Sequence, residues 1–193
     1  MKKEAVEQGI SEGLSQGLSQ GISQGIKVSK YLMKNYTQQK TKKDIINLME
    51  IPNDAMRAFF VSLLNINEIS SYEIYDFLKI MAATNPNLVL KLFKNRIDHK
   101  TSTNNMSYEP IGWNQHSPVF PEDFGLIALG SIIEWLLDKK NIEAWQYYFW
   151  VPKLIKIIPI DKSFICGKVN SLLATSQDDK NIAIARILIS SLP

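Results

Sequence analysis

Ser71-Tyr72-Glu73-Ile74-Tyr75-Asp76-Phe77-Leu78-Lys79-Ile80-Met81-Ala82-Ala83, followed after Thr84 by Asn85-Pro86-Asn87-Leu88-Val89-Leu90-Lys91-Leu92-Phe93, decides the fold class. Ile74, Phe77, Leu78 and Met81 recur at intervals of three and four, which places them on one face of a helix. Ser71 stands where an N-cap belongs. Asn85 is a second cap, and Pro86 sits at the first helical position, where its missing N–H costs nothing. The next helix carries Leu88, Leu92, Phe93 and Ile97 at helical spacing. Two helices joined by a connector this short must run antiparallel.

The same punctuation extends in both directions. Upstream, Asn53 caps a helix from Asp54 to Leu64 with Met56, Phe59, Phe60, Leu63 and Leu64 on one face, and Thr41 with Asp44 opens a short helix ending before Pro52. Downstream, helices are expected over Glu122 to Lys139, Ile142 to Ile158, Ser163 to Thr175 and Asp179 to Leu192. No alternating strand of any length and no hairpin dipeptide occurs. Pro152 follows the aromatic run Trp145-Gln146-Tyr147-Tyr148-Phe149-Trp150 and should kink or split its helix, because it removes a hydrogen bond. A weak echo lays Phe149 to Pro159 over Ala183 to Pro193 at a spacing of 34. Lys140-Asn141-Ile142 recurs as Lys180-Asn181-Ile182 at a spacing of 40. Such periods belong to helical-pair solenoids. The expected class is all-α: a long Gly-xxx-Gly N-terminal helix, then an antiparallel helical stack, either a HEAT-like α-solenoid or a compact bundle. Its divisions are a glycine-spaced stalk over 1–34, a basic connector and short helix over 35–52, and a helical-repeat-like domain over 53–193 with a long loop at 98–121.

The stalk follows a four-residue rule. Glycine stands at Gly9, Gly13, Gly17, Gly21 and Gly25, and an aliphatic residue follows each: Ile10, Leu14, Leu18, Ile22 and Ile26. Four residues turn a helix by about 400°, so both columns drift slowly around it in the right-handed sense. Each interior glycine costs about 1 kcal/mol relative to alanine, so five cost about 5 kcal/mol. A helix built this way needs something lying against it, and glycines four apart provide a groove for close backbone approach. These ten residues are the expected interaction face, with a second copy or another protein as partner.

Composition bounds the rest. Hydrophobic residues at 45% and charged residues at 21% give a globular balance, and the net charge of +3 alone does not imply nucleic acid. Its distribution is uneven: Lys27, Lys30, Lys34, Lys40, Lys42 and Lys43 lie in a stretch without a single acid, the segment expected to contact nucleic acid if any does. The single cysteine, Cys166, allows no intrachain disulfide and fits a reducing compartment. Lying among Phe164, Ile165 and Val169, it reads as a small buried hydrophobe. Met1-Lys2-Lys3 leads into Glu4 and glycines rather than an apolar run, so no signal peptide is read. The most apolar stretch, Phe124 to Leu137, carries Glu134 and falls short of the roughly 20 residues that span a bilayer. The expected setting is soluble and cytoplasmic, with no membrane partner.

Glu7-Gln8-Gly9-Ile10 through Gln24-Gly25-Ile26, then Lys27-Val28-Ser29-Lys30-Tyr31-Leu32-Met33-Lys34, resembles the C-terminal tail of the Rpn / PD-(D/E)XK transposase-type nucleases. Thr41-Lys42-Lys43-Asp44-Ile45-Ile46-Asn47-Leu48-Met49-Glu50-Ile51-Pro52 is similar to the small helical motif that closes those tails. The resemblance covers about residues 4 to 60 and leaves out the nuclease core. It implies a bacterial mobile-element or defence setting, with the chain as a regulatory component. Asp98-His99-Lys100, Asp138-Lys139-Lys140 and Asp178-Asp179-Lys180 match half of the family's D-x-K signature. The metal site also needs an upstream acid and a central strand, so that carboxylates converge on a hard cation. Lysine and aspartate at helix ends have a simpler role, complementing the terminal dipole or capping.

Between Asp98 and Pro121 the sequence turns to Asn, Ser, Thr and Pro, with Tyr108, Trp113 and Phe120 spaced as anchors onto the helices. His99 and His116 lie here, near Glu109 and Asp123, without the HxxxH or HxH spacing of a zinc site. No G-x-S-x-G elbow and no Walker or dinucleotide glycine motif occurs. No catalytic, metal or cofactor-binding residue is assigned. The expected function is a non-enzymatic protein–protein interaction or oligomerisation module, a homo-oligomer through its N-terminal helix. The alternative is a nucleic-acid-binding protein using the Lys27–Lys43 segment.

Overall fold

The computed structural model describes residues 60–69, 72–112, 118–176 and 178–192. The glycine-spaced stalk, the lysine-bearing segment, the Thr41 helix, Trp113 and His116 lie outside them. The chain divides into two compact units between Ile66 and Asn67. Of the first, residues 60–66 are described, and 60–65 are helical.

Among the described residues of the second unit, the only regular secondary structure is helical. α1 (Tyr72–Thr84) is followed by α2 (Pro86–Thr103). A 3-10 turn, Glu122–Phe124, leads into α3 (Gly125–Leu137). Then come α4 (Trp145–Lys156), α5 (Lys162–Thr175) and α6 (Asp179–Ile189). The all-α expectation holds for these residues.

Local chemistry sets the boundaries. Asn85 caps α2, its side chain accepting from the Leu88 N–H at 3.2 Å, with Pro86 beginning the first turn. α2 ends at Asn104, whose φ of 48° is left-handed, a conformation Asn tolerates better than most residues. Asp178 caps α6 by accepting from the Asn181 N–H at 2.7 Å, which gives the Asp178-Asp179-Lys180 triplet a structural role. α4 starts at Trp145 rather than Ile142, because Ala144, with ψ at 124°, is not yet helical. It is not split at Pro152. One helical bond is missing there, but Val151, Pro152, Leu154 and Ile155 are all buried, so packing carries the helix through. α6 ends at Ile189, three residues short of Leu192.

The helices pack in a definite order. α1 lies on α2; α2 lies against α3 and α4; α3 and α4 also pack on α6; α5 lies on α6. Two hubs, α2 and α6, thus sandwich the α3 and α4 pair. Leu90, Phe93 and Ile97 of α2, Leu129, Ile132 and Leu136 of α3, Val151 and Leu154 of α4, and Ala183, Ile184, Ile187 and Leu188 of α6 are fully buried. The α4–α5 connection crosses the start of α3 so closely that a Cβ on Gly125 would collide with the Pro159 carbonyl oxygen. Only glycine fits there.

α5 departs from the pattern. Of its residues only Ile165 and Val169 are buried, and Phe164 is 46% exposed. Cys166 is exposed, which corrects its reading as a buried hydrophobe. The reason is geometric: α5 buries the face that carries Ile165 and Val169, and Cys166 points about 100° away from Ile165.

Candidate interaction surface

The loop after α2 is held from within. Arg96 is fully buried, and its guanidinium donates to the Pro110 carbonyl at 3.0 Å and to the Glu109 carbonyl at 2.6 Å. It lies 4.5 Å from the centroid of the Tyr108 ring, a cation–π contact away from water. Burial lowers its pKa to about 10, still charged at neutral pH. Lys100 donates to the Asn105 and Met106 carbonyls, and the Gly112 N–H donates to the Tyr75 hydroxyl at 2.9 Å. Of the three anchors expected from sequence, Tyr108 and Phe120 are buried. Phe120 packs on Phe93 and Phe124, with ring centroids 6.3 and 5.6 Å away. Trp113 lies outside the described residues.

Asp98 ties three helices together. Its carboxylate accepts from Trp135 Nε1 at 3.0 Å, Lys139 Nζ at 2.7 Å and the Tyr147 hydroxyl at 3.1 Å. Burial and the neighbouring Asp98 charge push the Tyr147 pKa well up, so the phenol stays protonated and keeps donating. Lys94 adds a second tie between α2 and α3, donating to Ser131 Oγ at 2.9 Å. In the Asp98-His99-Lys100 triplet, Asp98 and Lys100 therefore face different partners. His99 is exposed, its ring 4.7 Å from that of Tyr108. Among the described residues no group of three or more His, Cys, Asp or Glu side chains is arranged to hold a metal ion. Glu109 keeps Oε2 buried without a hydrogen-bond partner among them, and its charge opposes the burial that lowers the Lys153 pKa.

These ties are concentrated around α2. The other end of the unit is open. α3 and α5 both lie on α6 but leave a groove of about 410 Å³ between them. Its α3 wall includes Gly130, Glu134 and Leu137; its α5 wall includes Lys168 and Leu172; Asn181 of α6 lines it as well. Leu126 lies one turn before Gly130 on the same face and is 48% exposed, and Phe164 lies one turn before Lys168. The Asn181 amide nitrogen is occupied within the fold, donating to the Leu172 and Ser176 carbonyls at 3.2 and 3.1 Å, and the groove is mainly apolar with Glu134 and Lys168 on its walls. A second, smaller apolar step lies on α4, where Trp145 and Phe149 stack edge to face at 6.1 Å and stay partly exposed.

Sequence reasoning assigned none of Arg96, Asp98, Glu134 and Lys168 to these roles. One signal was available for the groove: Phe124 to Leu137 is apolar nearly all round, so a helix formed from it has more apolar surface than one packed side can cover. Among the described residues no helix is long and apolar enough to cross a membrane. No family model matches the chain, and comparison with the curated proteins and with the solved structures gave no match.

Proposed function

We propose that this chain is a protein–protein interaction and oligomerisation module. The observation that carries the reading is the open groove: two helices seated on a common support leave their apolar walls uncovered. An uncovered concave wall of this kind is where the apolar side chains of a partner would be buried on docking. The glycine repeat from Gly9 to Gly25 supports the same reading, because a helix carrying it is too weak to stand without a companion. Layering from α1 through the two hubs to α5 is compatible with a HEAT-like stack, and the Rpn-type tail favours a regulatory role in a bacterial mobile-element or defence nuclease system. Light scattering after size-exclusion chromatography tests it, on the full chain and on a chain beginning at Lys27. An assembly in the full chain that weakens on shortening supports the stalk as a contact. Two monomers, neither capturing a protein from native extract, would overturn the module.

A second reading rests on the six lysines between Lys27 and Lys43 with no intervening acid. It predicts binding to DNA or RNA that weakens with salt and on Lys40, Lys42 and Lys43→Gln. No retention on either polymer at low salt removes it.

A further inference from the structure

The groove's two walls carry opposite charges. Glu134 projects from α3 and Lys168 from α5, both exposed, on either side of an apolar trough. A groove built for a charged peptide would carry one sign. One acid and one base on facing walls are instead self-complementary, since a two-fold axis brings each residue of the pair against the other's counterpart. A second feature fits the same occupant. Gly130 puts no side chain on the α3 wall, and a Cβ there would meet only open space within 4 Å, room for a side chain from outside. On α5, one turn before Lys168, Phe164 stands nearly half exposed on a helix that buries only two residues of its own.

We propose that the groove receives α5 of a second copy of this chain, in an isologous dimer. Lys168 of each copy meets Glu134 of the other, and the partner's Phe164 enters the open space at Gly130. The proposal rests on reading the groove as a docking face, but it uses residues separate from the glycine-spaced stalk, so the two contacts can be tested apart. Because the symmetry repeats every pair, reversing one charge converts two attractions into two repulsions. Exposed pairs are individually weak, and the combined effect expected is about a tenfold loss of dimer affinity.

Sedimentation equilibrium on the full chain, with circular dichroism to confirm folding, reads the outcome. Wild type should dimerise, and Glu134→Lys and Lys168→Glu should each weaken the dimer about tenfold. The double variant should recover to near wild type, because the swapped charges again face each other. Phe164→Ser and Gly130→Trp should weaken it without unfolding the chain, since one removes the entering ring and the other fills the space it would take. A wild-type monomer at high concentration overturns the proposal while leaving docking of a different partner open to capture experiments. A dimer indifferent to both single reversals, or a double variant no tighter than the singles, also overturns it. If the dimer survives every groove variant yet is lost in the chain beginning at Lys27, the stalk carries the assembly, and self-docking in the groove is wrong.

Discussion

Arg96 is the side chain whose removal should harm the fold most among the polar contacts described. Its two short bonds, at 3.0 Å to Pro110 and 2.6 Å to Glu109, are charge-assisted, and each is worth about 1.5–3 kcal/mol. The contact to the Asn67 carbonyl is 3.5 Å long, at the limit of a hydrogen bond, and counts for nothing here. The Tyr108 stack adds about 1–2 kcal/mol in a desolvated site. Against this stands the cost of burying a guanidinium, several kcal/mol, which Arg96→Ala would return. The same substitution leaves two carbonyls without their donor, at about 1–3 kcal/mol each where buried, and opens a cavity beneath Tyr108. The balance falls at a net loss of about 3–5 kcal/mol, the range found when one partner of a buried charged contact is removed.

Urea unfolding followed by circular dichroism gives the number from the shift in midpoint at constant slope. Arg96→Met keeps most of the packing and loses only the donors, so it should recover about 1 kcal/mol of the deficit. Arg96→Lys should remain at least about 2 kcal/mol below wild type, because a point charge cannot serve two carbonyls and a ring face together. The loop over residues 104–112 should become the first site of proteolytic cleavage. If Arg96→Ala costs less than about 1 kcal/mol, or the loop stays protected, the loop is held by other means and the reasoning fails.

Gly125→Ala should destabilise by about 1–2 kcal/mol, since the collision with the Pro159 carbonyl outweighs the better helix propensity of alanine; Gly130→Ala, with open space at its Cβ, should gain up to about 1 kcal/mol. Matching gains from both in thermal melts would deny the close approach. Asp98→Ala removes the acceptor shared by α2, α3 and α4 and should cost about 2–3 kcal/mol, with a shift in Trp135 emission; an unchanged spectrum and midpoint would contradict the tie. Burial raises the Tyr75 pKa from 10.0 to about 12, so the unfolded chain ionises first. The sign follows: this contribution is complete below pH 10 and is lost as pH climbs toward 12, by about 3 kcal/mol in all. Tyr75→Phe should be less stable at neutral pH, because the Gly112 N–H loses its acceptor, yet show a shallower alkaline decline than wild type. Parallel curves from pH 9 to 12 would refute the assignment.

The helices were legible because their signals are local. Asn85-Pro86 and Asp178 announce helix starts through capping chemistry that depends on three or four neighbouring residues, and the structure has them in those roles. Ile74, Phe77, Leu78 and Met81 are buried together, as their spacing requires. What local pattern could not carry was the depth to which each helix is covered. Val169 and Cys166 are both small apolar residues on α5, and only the face on which each lies separates the buried one from the exposed one. Arg96 looked like one more basic residue on a helix with three lysines, Lys91, Lys94 and Lys100, and was indistinguishable from them in sequence. Its burial depends on carbonyls 13 and 14 residues away, which a periodicity argument never consults. The groove was illegible for the same reason: it exists because α3 and α5 share a support without touching closely, a property of three helices at once.

That distribution of ties bears on how docking would act. Around α2 the unit is fastened by Arg96, Asp98 and Lys94, each bonded to a residue well beyond its own helix, and by Lys100, which holds the turn that follows it. α5 has two buried side chains and its Asp161 cap, which accepts from the Ser163 N–H at 2.8 Å at the exposed surface. Segments with few buried apolar contacts open at the lowest free energy, so α5 is the element with least of its own to hold it. A companion seated between α3 and α5 would bury Phe164 and Leu172 together with Leu126 and Leu137, and would contribute most where the isolated fold contributes least. Binding to the native state alone stabilises it by mass action, so the groove and the weakness of α5 are one feature: the wall left loose by folding is the wall that a bound helix would fix.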